Sequence, residues 1–129
     1  MVVMHERSLG QEILKNPNRI MSPSLPPLLA HIVERLREEY RPERIILYGS
    51  YAYGTPNEDS DIDLFIVKDS PLNRIMRAVE VRRILTDPKR RISISPRVYT
   101  PSEVTERLAL GDQFVEEVMR RGVTLYEQA

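Results

Sequence analysis

Leu28, Leu29, Ile32, Val33 and Leu36 recur at helical spacing and predict one amphipathic helix between Pro27 and about Tyr40. Arg41-Pro42 stops it, because proline lacks a backbone donor and restrains the residue before it. Arg44-Ile45-Ile46-Leu47-Tyr48 is then short, almost continuously apolar and closed by Gly49, which suits a buried strand. A second such run extends from Asp61 to Val67 through Ile62, Leu64, Phe65 and Ile66. Between them the chain predicts a short helix that Gly54 ends. Pro71 is expected to open a longer helix on which Ile75, Val79 and Leu85 keep the apolar spacing, with Asp87-Pro88 closing it. From Arg91 to Tyr99 a third strand alternates Ile92, Ile94 and Val98 with polar residues, and Pro96 inside it points to a sheet edge or a bulge. Thr100-Pro101-Ser102-Glu103 carries a helix start: a threonine cap, proline in the first turn, and glutamate three residues after the cap. Helices over 101–109 and 112–121 follow, with Gly111 between and Gly122 after, and 123–126 reads as a last short strand. This order predicts an α+β domain, a two-layer arrangement of helices and a small mixed sheet.

The first 24 residues do not fit that pattern. Asn16-Pro17-Asn18, Ser22-Pro23 and Pro26-Pro27 interrupt any helix there, so residues 1–24 are expected to form an arm and residues 25–129 the domain. A chain of 129 residues supports one core and not two. Lys+Arg and Asp+Glu both number 19, and this balance argues against retention on long nucleic acid by bulk positive charge. The absence of cysteine excludes disulfides and thiolate metal sites. No apolar run is long enough for a membrane span, and the first residues lack the layout of a secretory signal. A cytoplasmic protein is expected.

The candidate chemistry lies between the first two strands. Residues i and i+2 of a strand share a face, so Asp61 and Asp63 present two carboxylates side by side. Two such anions repel unless protons or a cation intervene, and a hard divalent ion such as Mg2+ suits them. A strand that ends in Gly49-Ser50 and enters a helix offers backbone N–H groups and a hydroxyl to an anion, and glycine permits close approach.

Gly49-Ser50, ten intervening residues and Asp61-x-Asp63, with an apolar strand on each side, resemble the signature of the DNA polymerase beta-like nucleotidyltransferase superfamily. The size of the chain is similar to its minimal nucleotidyltransferase branch. The resemblance is densest from Ile45 to Val67 and extends more weakly to Val123-Thr124-Leu125-Tyr126. It implies that Gly49, Ser50 and Ser60 bind the triphosphate and that Asp61 and Asp63 are the catalytic ligands of two Mg2+ ions, which would activate the attacking hydroxyl and stabilise the leaving pyrophosphate. ATP is the implied substrate, and AMP would pass to a hydroxyl on a protein or RNA acceptor. Family members of this size are similar to antitoxins paired with an all-helical partner of the HEPN class. Such a partner, an RNA acceptor and a homo-oligomer therefore enter as expectations.

One departure weighs on that reading. Active members of the superfamily usually supply a third acid from the next long strand. Counting back from Tyr99-Thr100-Pro101 puts Ser95 at this degenerate third-acid position, and no Asp or Glu lies between Lys89 and Ser102. Serine carries no charge and is a poor base. Glu58, Asp59 or Glu103 are candidates to replace the missing acid. Two functions stay open: an Mg2+-dependent nucleotidyltransferase weakened at Ser95, and a non-catalytic antitoxin-like module that neutralises a HEPN-type partner by contact.

Other residues invite weaker readings. Arg82, Arg83, Lys89, Arg90 and Arg91 suit a solvated helix end, or a phosphate contact. His5 and His31 lack partners at ligand spacing. Tyr51 or Tyr53 is the better candidate for base stacking, and Tyr48 for packing. Leu108, Phe114, Val115, Val118 and Met119 are expected in the core.

Overall fold

Four strands, β1 (Arg44–Tyr48), β2 (Ile62–Val67), β3 (Ile94–Tyr99) and β4 (Val123–Glu127), form one mixed sheet in the order β3-β2-β1-β4. This is a computed structural model, and it describes residues 25–129; the expected arm over 1–24 lies outside the described residues. β1 runs antiparallel to both β2 and β4, while β2 and β3 are parallel. The parallel pair needs a crossover, which α3 (Arg74–Ile84) supplies. Five helices are described: α1 (Leu25–Glu39), α2 (Ser50–Tyr53), α3, α4 (Pro101–Ala109) and α5 (Gln113–Arg121). The architecture is α+β, as the order of apolar patterns predicts.

The two faces of the sheet follow from period-two alternation. On β2, Ile62, Leu64 and Ile66 join the larger core with Leu29, Ile32 and Leu36 of α1 and Val81 of α3. Phe65 and Val67 turn the other way, into a smaller cluster with Ile46, Tyr99 and the α5 residues Val115 and Val118. Each large apolar side chain fully buried in these clusters stabilises the fold by about 1.5–3 kcal/mol. Asp63 shares the α5-facing parity and is the one polar residue in that series.

Several expectations shift. α1 is already helical at Leu25, the first described residue, ahead of the Pro27 start expected. Pro26 and Pro27 therefore lie within the helix, in the first turn of its described part. α3 begins at Arg74, not Pro71, because the Asn73 side chain accepts the Met76 N–H and caps the helix there. Its buried face carries Arg77 and Val81, whereas Ile75 is 75% exposed. Arg77 is buried because three neighbours satisfy it: Nε donates to the Leu72 carbonyl at 2.7 Å, and Nη1 to the Val98 carbonyl at 2.9 Å and Glu103 at 2.7 Å. β3 starts at Ile94 rather than Arg91 and forms a sheet edge, which accommodates Pro96. Of the expected C-terminal core residues, Val115 and Val118 are buried, Phe114 and Met119 partly so, and Leu108 is exposed.

Candidate active site

The sheet register assembles the site. Tyr48, the last residue of β1, lies opposite Asp63 near the start of β2. Asp63 in turn lies beside Ser95 of β3. Tyr48, Asp63 and Ser95 thus form one row across three strands, on the face turned toward α5. In the next row stand Ile46, Phe65 and Arg97. The first turn of α5 closes over this second row: the Phe114 ring meets Tyr48 edge-on at 5.4 Å and Phe65 at 6.1 Å, and the Arg97 guanidinium lies 5.1 Å from its centre.

Asp61 precedes β2 and is exposed. It accepts a hydrogen bond from the Ser93 hydroxyl, while the Ile62 N–H donates to the Ser93 carbonyl at 2.9 Å. The segment before β3 therefore fixes the first acid while β2 fixes the second. Asp63 is half-buried, and its carboxyl is held above its usual range by burial and then by the neighbouring Asp61 charge, with Arg97 acting in the opposite direction. Burial, with the Asp63 charge behind it, also pushes the Tyr48 phenol up to about 12, against the pull of Arg97.

Gly49 closes β1 in the left-handed region, with φ 77°. A Cβ at this position would overlap the Asp63 carboxylate, so the turn and the acid fit together only around glycine. Ser50 opens α2, whose first bonds run from the Ala52 and Tyr53 N–H groups to the Gly49 carbonyl, both at 3.0 Å. No partner among the described residues engages the Ser50 hydroxyl. Gly54 ends α2 with φ 85°, as expected from its place in the sequence.

This donor set fits one divalent cation. Asp61 and Asp63 offer hard oxygen donors that form no ion pair among the described residues, and Gly49, lacking a Cβ, lets the Asp63 carboxylate stand against the Gly49-Ser50 turn. No third His, Cys, Asp or Glu joins them among the described residues. A family model described as a nucleotidyltransferase domain matches residues 29–126, which contain every residue of this site. The chain belongs to that family. Among curated proteins, no relative matches.

The general chemistry of this nucleotidyltransferase is therefore nucleotidyl transfer, and it is of the transferase class. No described helix is long and apolar enough to cross a membrane. Within the domain, Ser60 lies in the loop before Asp61, where its hydroxyl accepts the Asn57 N–H at 2.8 Å. Glu103, a candidate to replace the third acid, is committed elsewhere: it receives Arg77 and the Thr100 N–H, and these bonds hold its carboxyl below the usual range. Glu58 and Asp59 are exposed on the loop of Ser60. Tyr51 is buried in the core, and the Tyr53 ring is covered by Arg121 at 4.1 Å, so Tyr48 is the tyrosine of the acid row. Arg90 clips its own loop through the Leu85 and Ile92 carbonyls, and Arg82 and Arg83 are exposed at the end of α3. A cavity of about 300 Å³ opens there, and Ser93 in its lining is the residue whose hydroxyl donates to Asp61. Sequence reasoning missed Arg97. The signal was its spacing, two residues beyond Ser95 on the same strand face.

Proposed function

We propose that this domain transfers AMP from ATP to a hydroxyl on a protein or RNA acceptor, slowly, with Asp61 and Asp63 as the Mg2+ ligands. The observation that carries this reading is that Asp63, with the Asp61 charge beside it, stands directly against Gly49 of the Gly49-Ser50 turn, where the two fit only without a Cβ. Gly49, Ser50 and Ser60 hold the triphosphate. Bound Mg2+ would supply charge neutralisation at the reacting phosphate and the leaving pyrophosphate. The acceptor oxygen forms a bond to the α-phosphorus, the bond to pyrophosphate breaks, and the hydroxyl proton leaves to solvent because Ser95 offers no carboxylate.

The test is label transfer. Protein, Mg2+ and ATP labelled at the α-phosphate are incubated with a lysate, with Asp63→Ala as the control. Label on a macromolecule only with intact Asp63 supports the reading and identifies the acceptor class. Ser95→Asp, which restores an acid beside Asp63, should raise turnover by about 10–100-fold. A wild type that is already fast and gains nothing from Ser95→Asp would sink the claim that the serine limits it.

A second reading is favoured by that same Ser95: a binding module that keeps the fold and neutralises a HEPN-type helical partner by contact. It takes over if no label transfers and Mg2+ with ATP leaves the melting temperature unchanged.

A further inference from the structure

We propose that the site takes a single divalent cation, on Asp61 and Asp63, and that Arg97 supplies the second positive charge as a fixed guanidinium. The inference deepens the nucleotidyl-transfer reading and rests on it. A second cation needs anionic donors on its far side, and the β3 position of the acid row holds a serine. Three carboxylates with two dications would face a triphosphate with one surplus positive charge. Two carboxylates, one dication and an arginine face it with the same surplus. Two dications beside Arg97 would instead leave a threefold surplus with no protein anion to balance it.

Arg97 is placed for this role. It follows Ser95 by two residues on one strand, so its side chain leaves the sheet on the face of Asp63. The Phe114 ring holds the guanidinium at 5.1 Å, and that ring is itself set against Tyr48 of the acid row. Elsewhere Arg77, Arg107 and Arg121 are each taken up by a carboxylate. Arg97 is exposed, and among the described residues it forms no ion pair. It is therefore ordered beside Asp63 and bonded to the Tyr48 hydroxyl, yet paired with no carboxylate among the described residues, which leaves guanidinium donors for a phosphate.

The experiment is a Mn2+ titration of the full chain, followed by electron paramagnetic resonance of the free ion, with and without a non-transferable ATP analogue. One Mn2+ per chain is expected in the wild type with the analogue bound, and two in the Ser95→Asp/Arg97→Gln double variant. Arg97→Gln alone should tighten Mn2+ binding without nucleotide, by about fivefold, because a repelling charge is gone. The same variant should weaken the analogue in the presence of Mn2+ by about tenfold. This opposite pair of shifts distinguishes a charge acting in the site from a surface arginine, and equal melting temperatures establish that the variants fold. Two Mn2+ per wild-type chain would overturn the single-cation inference and leave nucleotidyl transfer standing. No Mn2+ bound with the analogue present would overturn both. An Arg97→Gln variant that shifts neither affinity removes Arg97 from the site.

Discussion

Asp63 carries the conflict between stability and function in this domain. It stands half-buried in a sheet row between Tyr48 and Ser95, with Asp61 close by, and its carboxyl is held above the ordinary range by burial and then by that neighbour. A carboxyl whose native pKa is raised binds protons better folded than unfolded. Its cost to stability is absent below the unfolded pKa, near 4, and grows as pH rises through the native value. Asp63→Asn should therefore raise the melting temperature of the metal-free protein at pH 7 while abolishing transfer. The gain should shrink toward zero as the pH approaches 4. Thermal melts in a chelator at the two pH values check this, and a gain independent of pH would refute the charge argument. The acids and Gly49 could be read from the sequence because i, i+2 spacing and a strand-ending glycine are local signals. Arg97 carried the same i, i+2 signal from Ser95, but that spacing alone does not bring it to Asp63. Its meaning depends on the register of β3 against β2, and register is a tertiary property.

At the scale of elements, the edges of segments show what local pattern can and cannot fix. β1 is found where it is expected, since Arg44 and Gly49 bracket an uninterrupted apolar run. The cap at Thr100 is also found as read: its side chain accepts the Glu103 N–H, and Glu103 returns to the Thr100 N–H. α3 was harder to read, because one of its two buried positions is an arginine with partners on β3 and α4, far away in sequence. The end of α1 offers a quantitative check. The Tyr40 and Arg41 N–H groups both donate to the Leu36 carbonyl at 2.8 Å, and Arg41 takes a positive φ of 55° to do so. An L-residue with a Cβ pays strain in this conformation, where glycine is the common solution. Arg41→Gly should stabilise the domain by about 0.5–1 kcal/mol, read from the midpoint of urea unfolding at unchanged slope. A loss of stability would mean that the greater freedom of glycine in the unfolded chain outweighs the relieved strain.

For the molecule as a whole, the two faces of the sheet are unequal, and the candidate site lies on the weaker one. The larger core joins α1, α2 and α3 to all four strands, whereas the opposite face rests on a small cluster under α5. Between these, α4 has no fully buried side chain. What holds it is largely polar: its capping box, the bond of Arg107 to Asp112 at 2.9 Å, and the bond of Arg77 to Glu103 at 2.7 Å. Elements with little apolar burial open at lower free energy than the global unit, so α4 should open first. Arg77 and then the Thr100 N–H hold the Glu103 carboxyl below its ordinary range. A depressed carboxyl contributes stability above its unfolded pKa, near 4.3, and loses it as pH falls through the native value. Hydrogen exchange followed by mass spectrometry should therefore find residues 101–109 exchanging well before β1 and β2. Glu103→Gln should speed that exchange by about 5–30-fold at pH 7, with β1 and β2 changed far less. At equal intrinsic rates, the wild type should converge on the variant as pH falls below 4. Uniform protection across α4 and the central strands would mean that α4 belongs to the same cooperative unit as the core, and that the polar contacts around Glu103 lock the site face as firmly as apolar packing locks the other.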